Sequence, residues 1–455
     1  MAPASRGLRT GADLNLNERG GMKTVELTPG AHVMETMSKI SWPAKDLSRI
    51  PFVAYHDEHV YTAEQERVFR GPTWHYLALE AEVPKPGDFI TTFVGDTSIL
   101  VGRDELGHIH AFINRCKHRG ALLKRESCGN AKFHTCIYHQ WSYSLDGKLS
   151  SIPFMRGMKG EGGLPKDFDK SAIRLDALVV EVYKGVVFAT YSLKVEPLMD
   201  YLGSVVVEQI DRLFARPVKV LGYQRQRIFG NWKLYNDNVR DPNHGGLLHM
   251  FHATFGLYRL SQIGGAKMDA RHRHNITYNQ LGSDDAEAKS GYGETNKVYQ
   301  EGYQLLDKSM LEYRREFPDP VSLVILSVFP GVVFQQIANS LCTRQIRTKG
   351  VNELELYWTY FGYEDDDDAM KQHRLLQANL AGPGGYISME DGEAVELVHT
   401  TSANALDQHA RVEIGGTGEI RDQKNLISEV PIRGFWTYYC ELMGFKPGTV
   451  EQAAA

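Results

Sequence analysis

Cysteine is scarce in this chain. Five residues among 455, an odd number, are too few for a fold built on disulfides, so free thiols and a reducing compartment are expected. Nothing near the N-terminus reads as a secretory signal and no apolar run approaches about 18 residues, which argues against a membrane and for a cytoplasmic protein. Basic blocks are missing as well: 51 Lys and Arg against 56 Asp and Glu leave a net charge of −5, and without a positive patch nothing calls for nucleic acid as a partner. No internal repeat, low-complexity tract or glycine-rich flavin or nicotinamide fingerprint is found. With 42% hydrophobic and 24% charged residues, the chain has the composition of a globular protein of two or three domains.

Set against that scarcity, two of the five cysteines stand beside histidines in CKHRGALLKRESCGNAKFHTCIYHQW. Cys116 and His118 form C-x-H, and after seventeen intervening residues Cys136 and His139 form C-x-x-H. Two ligands on one tight turn converge on one ion. A structural zinc site would also accept two Cys and two His, but the usual zinc finger gathers its cysteines in one knuckle and its histidines on one helix. Here each knuckle mixes the two. The mixture suits a Rieske [2Fe-2S] cluster, in which one iron takes both thiolates and the other both imidazoles. Cys128 between the pairs reads as buried structure, and His134 as a strand or loop residue rather than a ligand.

The pattern along the chain places these pairs on loops. In YTAEQERVFRG, Thr62 and Gln65 have capping-box spacing and Gly71 can end the helix. From Asp88 short β-like runs follow, FITTFVG, SILVGRD and IHAFIN, and Asp146-Gly147 marks a hairpin. LDALVVEVYKGVVFATY continues the strands, and VEPLMDYLGSVVVEQIDRLF reads as helix. The division expected is an extension over 1–47, disordered and pattern-poor, a helical segment over 48–85, an all-β domain over 86–193 and a second domain over 194–450. In the second domain a strand, KVLGYQRQRIFG, precedes a helical stretch, WKLYNDNVRDPNHGGLLHMFHATF. The polar segment from about Gly264 to Gly302 is long for a loop and suggests a lid. Strands return in SLVILSVFPGVVFQQIANSL and ELELYWTYFGY. Glu364 to Asp368 reads as a solvated helix N-terminus, and IRGFWTYYCELMG as a last helix.

A one-electron store needs an acceptor, and NDNVRDPNHGGLLH offers one. Asp241, His244 and His249 are spaced D-x-x-H-x-x-x-x-H. The three-residue step puts Asp241 on the helical face of His244, where it can orient the ring. His244 and His249 would stand roughly 140° apart on a straight helix, and Gly245-Gly246 between them could relax the turn. An oxygen-activating iron takes two His and one carboxylate on one face. In GPGGYISMEDGEAVE either Glu390 or Asp391 could supply the acid.

Together these residues resemble a known family, the large (α) subunits of Rieske non-haem iron aromatic-ring-hydroxylating oxygenases. The resemblance runs from about Ile40 to Gly444 and rests on CKHRG with CIYHQW, NWKLYNDNVRDPNHGGLLH, GPGGYISMEDGE and RGFW. Within the family, GDFITTF, TFGLYRLSQ and LSVFPGVVFQQIANS are similar to the benzoate-type branch, including terephthalate dioxygenase and salicylate hydroxylase large subunits. The fold implied is α+β, an N-terminal all-β Rieske domain and a helix-grip catalytic domain. The resemblance assigns Cys116, His118, Cys136 and His139 to the cluster, and His244, His249 and Asp391 to a mononuclear Fe(II). It matches Asp241 to a carboxylate bridging His244 to the partner subunit's His139 in a head-to-tail ring, and Asn238 to an asparagine near the iron. Asp237 departs from the glutamate of many relatives, which leaves its hydrogen-bonding role open. In the benzoate-type branch an arginine in QQIANSLCTRQIRTKG is a candidate for gripping a ring carboxylate; Arg344 has the strand alternation for it, whereas Arg433 in RGFW reads as structural.

The activity implied is that of a terminal oxygenase hydroxylating an aromatic ring once or twice with O2 and two electrons. An aromatic monocarboxylate of the salicylate, anthranilate, halobenzoate or indoleacetate type is the expected substrate, with terephthalate disfavoured for want of a second cation. A reductase, directly or through a ferredoxin, would supply electrons. A small β subunit would complete an α3β3 assembly, with bare α3 as the alternative. Two rivals remain at this point: a Rieske electron carrier without oxygenase chemistry, and a zinc-stabilised binding module.

Overall fold

The computed structural model describes residues 40–283 and 292–448. Residues 1–36, the bulk of the expected extension, and part of the expected lid lie outside them. The extension is shorter than 1–47: Trp42 and Leu47 are buried against the main core, because a large apolar ring can leave water only by packing.

The N-terminal helix α1 spans Glu58–Glu64 and continues as a π-helical turn over Gln65–Phe69. Its cap is Asp57, whose carboxylate accepts the His59 and Val60 N–H groups, so Thr62 sits inside the helix rather than at its start. The segment expected to be helical up to 85 also holds a strand, β1 (His75–Leu79). Its five residues are buried, and it pairs with a strand more than a hundred residues away. The all-β unit continues with β2 (Asp88–Val94), β3 (Thr97–Arg103), β4 (Ile109–Ile113), β5 (Cys128–Asn130), β6 (His134–Thr135), β7 (Ser142–Tyr143), β8 (Leu149–Ser151), β9 (Val179–Tyr183) and β10 (Val186–Thr190). Three antiparallel sheets result, in the orders β4-β3-β2-β5, β9-β10-β1 and β6-β7-β8. Gly147 takes the left-handed conformation in the β7–β8 hairpin, with φ at 84°, as the Asp-Gly signal requires.

Helix α2 (Leu198–Leu213) leads into the second unit, and β11 (Val218–Ile228) is its first strand. Then come α3 (Trp232–Val239), α4 (Met250–Phe255), β12 (Gly264–Met268), β13 (Asn275–Asn279), β14 (Leu323–Val328), β15 (Val332–Ile337), β16 (Ser340–Thr348), β17 (Leu354–Tyr363), α5 (Asp368–Ala381), α6 (Tyr386–Ser402) and α7 (Val430–Met443). Seven strands form one antiparallel sheet in the order β11-β17-β16-β15-β14-β13-β12. The polar segment read as a lid therefore contributes two strands, β12 and β13. Asp367 caps α5 through the Met370 N–H at 2.7 Å, but the acidic run is not wholly solvated: Asp366 is buried and holds Arg374 at 2.8 Å. Among the described residues no helix is long and apolar enough to cross a membrane.

Strand β16 joins the two units because both its faces are buried. Its odd-numbered side chains turn to the all-β unit: Thr343 meets the Tyr76 hydroxyl at 3.0 Å, Gln345 accepts from Thr92 at 2.9 Å, and Arg347 donates to Thr92 at 3.1 Å. The strand period of two sends Cys342, Arg344 and Ile346 the other way.

Candidate metal centres and the aromatic pocket

The two Cys/His loops are built alike. The Cys116 N–H donates to the Ala121 carbonyl at 2.8 Å and the Cys116 carbonyl accepts from Gly120 at 3.0 Å. Cys136 repeats this with Trp141 and Gln140, both at 2.9 Å. Gly120 and Gln140 both take positive φ, 75° and 54°, which closes each turn on itself. The side chains form two layers. Cys116 and Cys136 lie inside, 2% and 1% exposed, while His118 is exposed and His139 partly so, their rings 4.5 Å apart. Trp141 stacks on His118 at 4.6 Å and holds the imidazole flat. Burial pushes the Cys116 thiol up, so a thiolate there needs a cation. Thiols beneath imidazoles fit two irons, each with one kind of ligand. Of the bystanders, His134 lies on β6, buried, as expected. Cys128 is a correction: it is exposed, because β5 pairs only along the rim of its sheet and its three residues face solvent.

The second centre starts from a helix that stops. Asn231 caps α3 by accepting the Lys233 N–H at 3.1 Å, and Pro242, two residues beyond Arg240, rules out a further turn and holds Asp241 out of the helical region. Asp241 and His244 thus meet across a turn rather than on a helical face. Asp241 accepts the Asn243 and His244 N–H groups at 2.7 and 3.3 Å. Its other oxygen stands 3.7 Å from His244 Nδ1, an ion-pair distance rather than a hydrogen bond. His244–Gly246 form a 3-10 turn. A Cβ on Gly246 would come 2.9 Å from both Leu260 and the Tyr292 hydroxyl, so only glycine permits the tight path that swings His249 round to His244.

Asp391 reaches the same place from α6. The Nε2 atoms of His244 and His249 each lie 3.3 Å from one Asp391 oxygen, and the three donor atoms fall within 4.8 Å of one another. Asn238 donates to Asp391 at 3.1 Å. The site calls for positive charge. Although burial opposes an imidazolium, the Asp241 and Asp391 carboxylates raise His244 to about 10. Burial would raise Asp391, yet His249 and His244 hold it well below the usual carboxylate range. Two imidazoles and one carboxylate that need a cation are the donor set of a non-haem iron.

Glu390, left open as a ligand on chemistry alone, serves a different purpose. Its carboxylate lies 2.7 Å from His249 Nδ1, on the side away from Asp391. It fixes the tautomer that aims Nε2 inward. Glu390→Gln is expected to lower metal affinity about tenfold, read by competition with a chelator; unchanged affinity would remove this orienting role. Asp237 keeps a hydrogen-bonding role despite its shorter side chain, accepting from Tyr55 at 2.7 Å and Trp436 at 2.8 Å. Burial, against those two donors, pushes it up to about 7.

The three converging side chains open on a cavity with about 540 Å³ of empty space including its mouth. Leu323, Ile325, Ile337 and Ile387 make it apolar. Arg344 is on its wall, 4% exposed. It donates to the Tyr235 hydroxyl at 2.8 Å and lies 5.0 Å over Trp358. Among the described residues no carboxylate lies within ion-pair distance of it, and its Nε has no hydrogen-bond partner. Arg433, by contrast, is structural, donating to the carbonyls of Gly416 and Gly418 at 2.6 and 2.9 Å.

Comparison with known proteins agrees with this geometry. Residues 73–166 match the Rieske [2Fe-2S] domain. The chain is 45% identical to the anthranilate 1,2-dioxygenase large subunit of Burkholderia cepacia, over 90% of this chain and 96% of that one. It is 44% identical to a terephthalate 1,2-dioxygenase terminal oxygenase α subunit of Comamonas sp, over 90% and 98%. The large oxygenase component of salicylate 5-hydroxylase from Ralstonia sp is 41% identical, over 89% and 96%. The fold matches naphthalene 1,2-dioxygenase from Rhodococcus sp. with a TM-score of 0.71 at 21% identity, over 87% of this chain and 94% of that one. The chain belongs to the large subunits of Rieske non-haem iron aromatic-ring-hydroxylating oxygenases. It is an oxidoreductase carrying a Rieske cluster and a mononuclear iron, and depends on electron-transfer partners. The carrier and zinc-module alternatives fall with that membership.

Proposed function

We propose that this oxygenase hydroxylates an aromatic monocarboxylate held by Arg344, of the salicylate, anthranilate, halobenzoate or indoleacetate type. One observation carries the reading: a buried guanidinium with no carboxylate at ion-pair distance among the described residues lines the cavity onto which His244, His249 and Asp391 converge. An unpaired buried cation is costly, and a substrate carboxylate would satisfy it with charge-assisted hydrogen bonds. The anthranilate and salicylate named for two relatives accord with this. Terephthalate fits less well, since Arg344 is the one Lys or Arg at this cavity among the described residues.

In this reading Cys116, His118, Cys136 and His139 hold the cluster, and His244, His249 and Asp391 hold the iron. When bound, the iron supplies oxygen activation with electrons delivered through the cluster. The chain's own groups do the rest: Arg344 orients the ring, the aliphatic walls exclude water, Asn238 steadies Asp391, and Asp241 meets the partner subunit's cluster ligand in a head-to-tail ring. Apolar surface beside each centre suits such a ring, with Ile137 and Tyr138 exposed next to His139 and Leu247 and Met250 next to His249. A closed ring follows from a heterologous interface, either α3β3 with a small β subunit or α3. A reductase, directly or through a ferredoxin, is the electron source, and the protein works in the cytoplasm. Residues 86–193 form the cluster unit in this assignment, with β1 added, and 194–450 the catalytic one.

Arg344→Met is expected to weaken a carboxylated substrate by on the order of 2–4 kcal/mol and to leave an uncharged ring analogue little changed. The check is KM for the two compounds in the reconstituted system. Equal kinetics on both would take Arg344 out of the site.

A further inference from the structure

The wall that carries Arg344 has further polar groups with nothing to bond. Gln335 on β15 is 1% exposed; its amide nitrogen has no partner and its side chain lines the cavity. Thr277 on β13, 4% exposed, also lines it with an unpartnered hydroxyl. A buried polar group left unpaired is costly, so these two on the sheet face that also carries Arg344, whose Nε lacks a partner among the described residues, call for a ligand.

The sheet register explains why they act together. Thr277 is opposite Ile325, Ile325 opposite Gln335, and Gln335 opposite Cys342. Cross-strand partners share a face, so Thr277, Ile325, Gln335 and Cys342 form one row across four strands. Arg344 lies two residues beyond Cys342, on that same face and diagonal to Gln335, with Cβ atoms within about 8 Å. Long side chains from those two positions can converge on neighbouring substituents of one ring. Thr277 stands two strand spacings from Gln335, about 9.6 Å, and its hydroxyl faces the cavity farther along the row.

Resting on the carboxylate reading above, we propose that Gln335 is a specificity-determining residue that recognises a hydroxyl or amino group ortho to the carboxylate gripped by Arg344, with Thr277 supporting it along the same row. The substrate class is thereby a 2-hydroxy- or 2-aminobenzoate rather than a benzoate bearing only apolar or halogen substituents. An amide accepts from and donates to such a group equally well, while an apolar ortho substituent leaves Gln335 unpaired.

The test is calorimetric binding to the anaerobic holoenzyme, with 2-hydroxybenzoate, 2-methylbenzoate, benzoate and benzamide as probes. Wild type is expected to bind 2-hydroxybenzoate about tenfold more tightly than 2-methylbenzoate, the worth of one good neutral hydrogen bond. Gln335→Met, close in volume, should bring that ratio to within about twofold while both acids remain favoured over benzamide. Thr277→Val, which preserves shape, reads the row independently and should lower the ratio about threefold. An unchanged ratio in whichever of the two variants folds overturns the proposal, as does a wild type without ortho preference. Either result with benzoate still favoured over benzamide leaves the Arg344 reading standing; loss of preference for all acids would overturn that reading instead.

Discussion

Replacing Asp241 with alanine is expected to cut turnover about a hundredfold while the cluster spectrum persists and most of the mononuclear iron stays bound. The reason lies in how its two oxygens are divided. One is committed to the turn, accepting from Asn243 and His244; the other stands 3.7 Å from His244 Nδ1 and is free to take a stronger partner. The side chain is 18% exposed, so it reaches the surface from a site in which His249 and Asp391 are buried. A group in that position can link His244, in its proposed role as an iron ligand, to a neighbouring subunit without being a ligand itself. Asp241→Asn separates the two duties, because the amide oxygen still caps the turn while the charge is gone. It should lose nearly as much turnover as the alanine variant, with less effect on thermal stability. His249→Ala gives the contrast, since removing an Nε2 ligand should empty the iron site. Iron analysis, the cluster spectrum and single-turnover product yield distinguish the three. Wild-type turnover in Asp241→Ala would end the bridging role.

The second large effect concerns the cluster. The protein purified without oxygen is expected to be red-brown with the absorption and shifted EPR signal of a Rieske centre, and His118→Ala or His139→Ala should abolish that signature. Neutral imidazoles on one iron raise the potential far above that of an all-thiolate cluster, so their loss cannot leave the spectrum unchanged. The layered arrangement makes the histidine variants cleaner than cysteine ones: His118 and His139 lie at the surface, so alanine removes a ligand without opening a cavity in the core around Cys116 and Cys136. A cluster that persisted unchanged in both variants would refute the ligand assignment.

How much of this is legible in the chain follows the range of the interactions. The two knuckles can be read directly because each brings its ligands together within four residues, and a tight turn needs no distant help to aim them. The pairing of Asp241 with His244 is legible too, though for the wrong geometric reason: three residues apart also places side chains together across the turn that Pro242 imposes. Strands rich in Val, Ile and Phe, such as β14 and β15, declare themselves by composition. Strand β13 does not. Its buried Asn275, Thr277 and Asn279 carry no hydrophobic alternation, and the segment reads as a loop. Strand β1 is hidden for a different reason: its partner β10 lies far along the chain, and nothing in HYLAL announces that pairing.

Residue types and short spacings by themselves pointed to two mixed Cys/His knuckles and a D-x-x-H-x-x-x-x-H segment as candidate metal centres, and the resemblance of whole motifs pointed to the family. The chemistry of the residues left either acid of Glu390-Asp391 open and the family resemblance favoured Asp391; the tertiary structure sets Asp391 beside His244 and His249. The two are adjacent on α6 and about 100° apart, so only the packing of that helix against α3 and α4 turns Asp391 inward and leaves Glu390 behind His249. It also decided that Arg344, rather than Arg347 on the same strand, lines the pocket, because a strand shows alternate residues to opposite faces and only the units packed on β16 give those faces their identities. The Cys/His knuckles and the His244–His249 pair are written in neighbouring residues, whereas the third carboxylate and the pocket wall depend on which side chains from separate elements arrive at one place, a property of helix packing and sheet register.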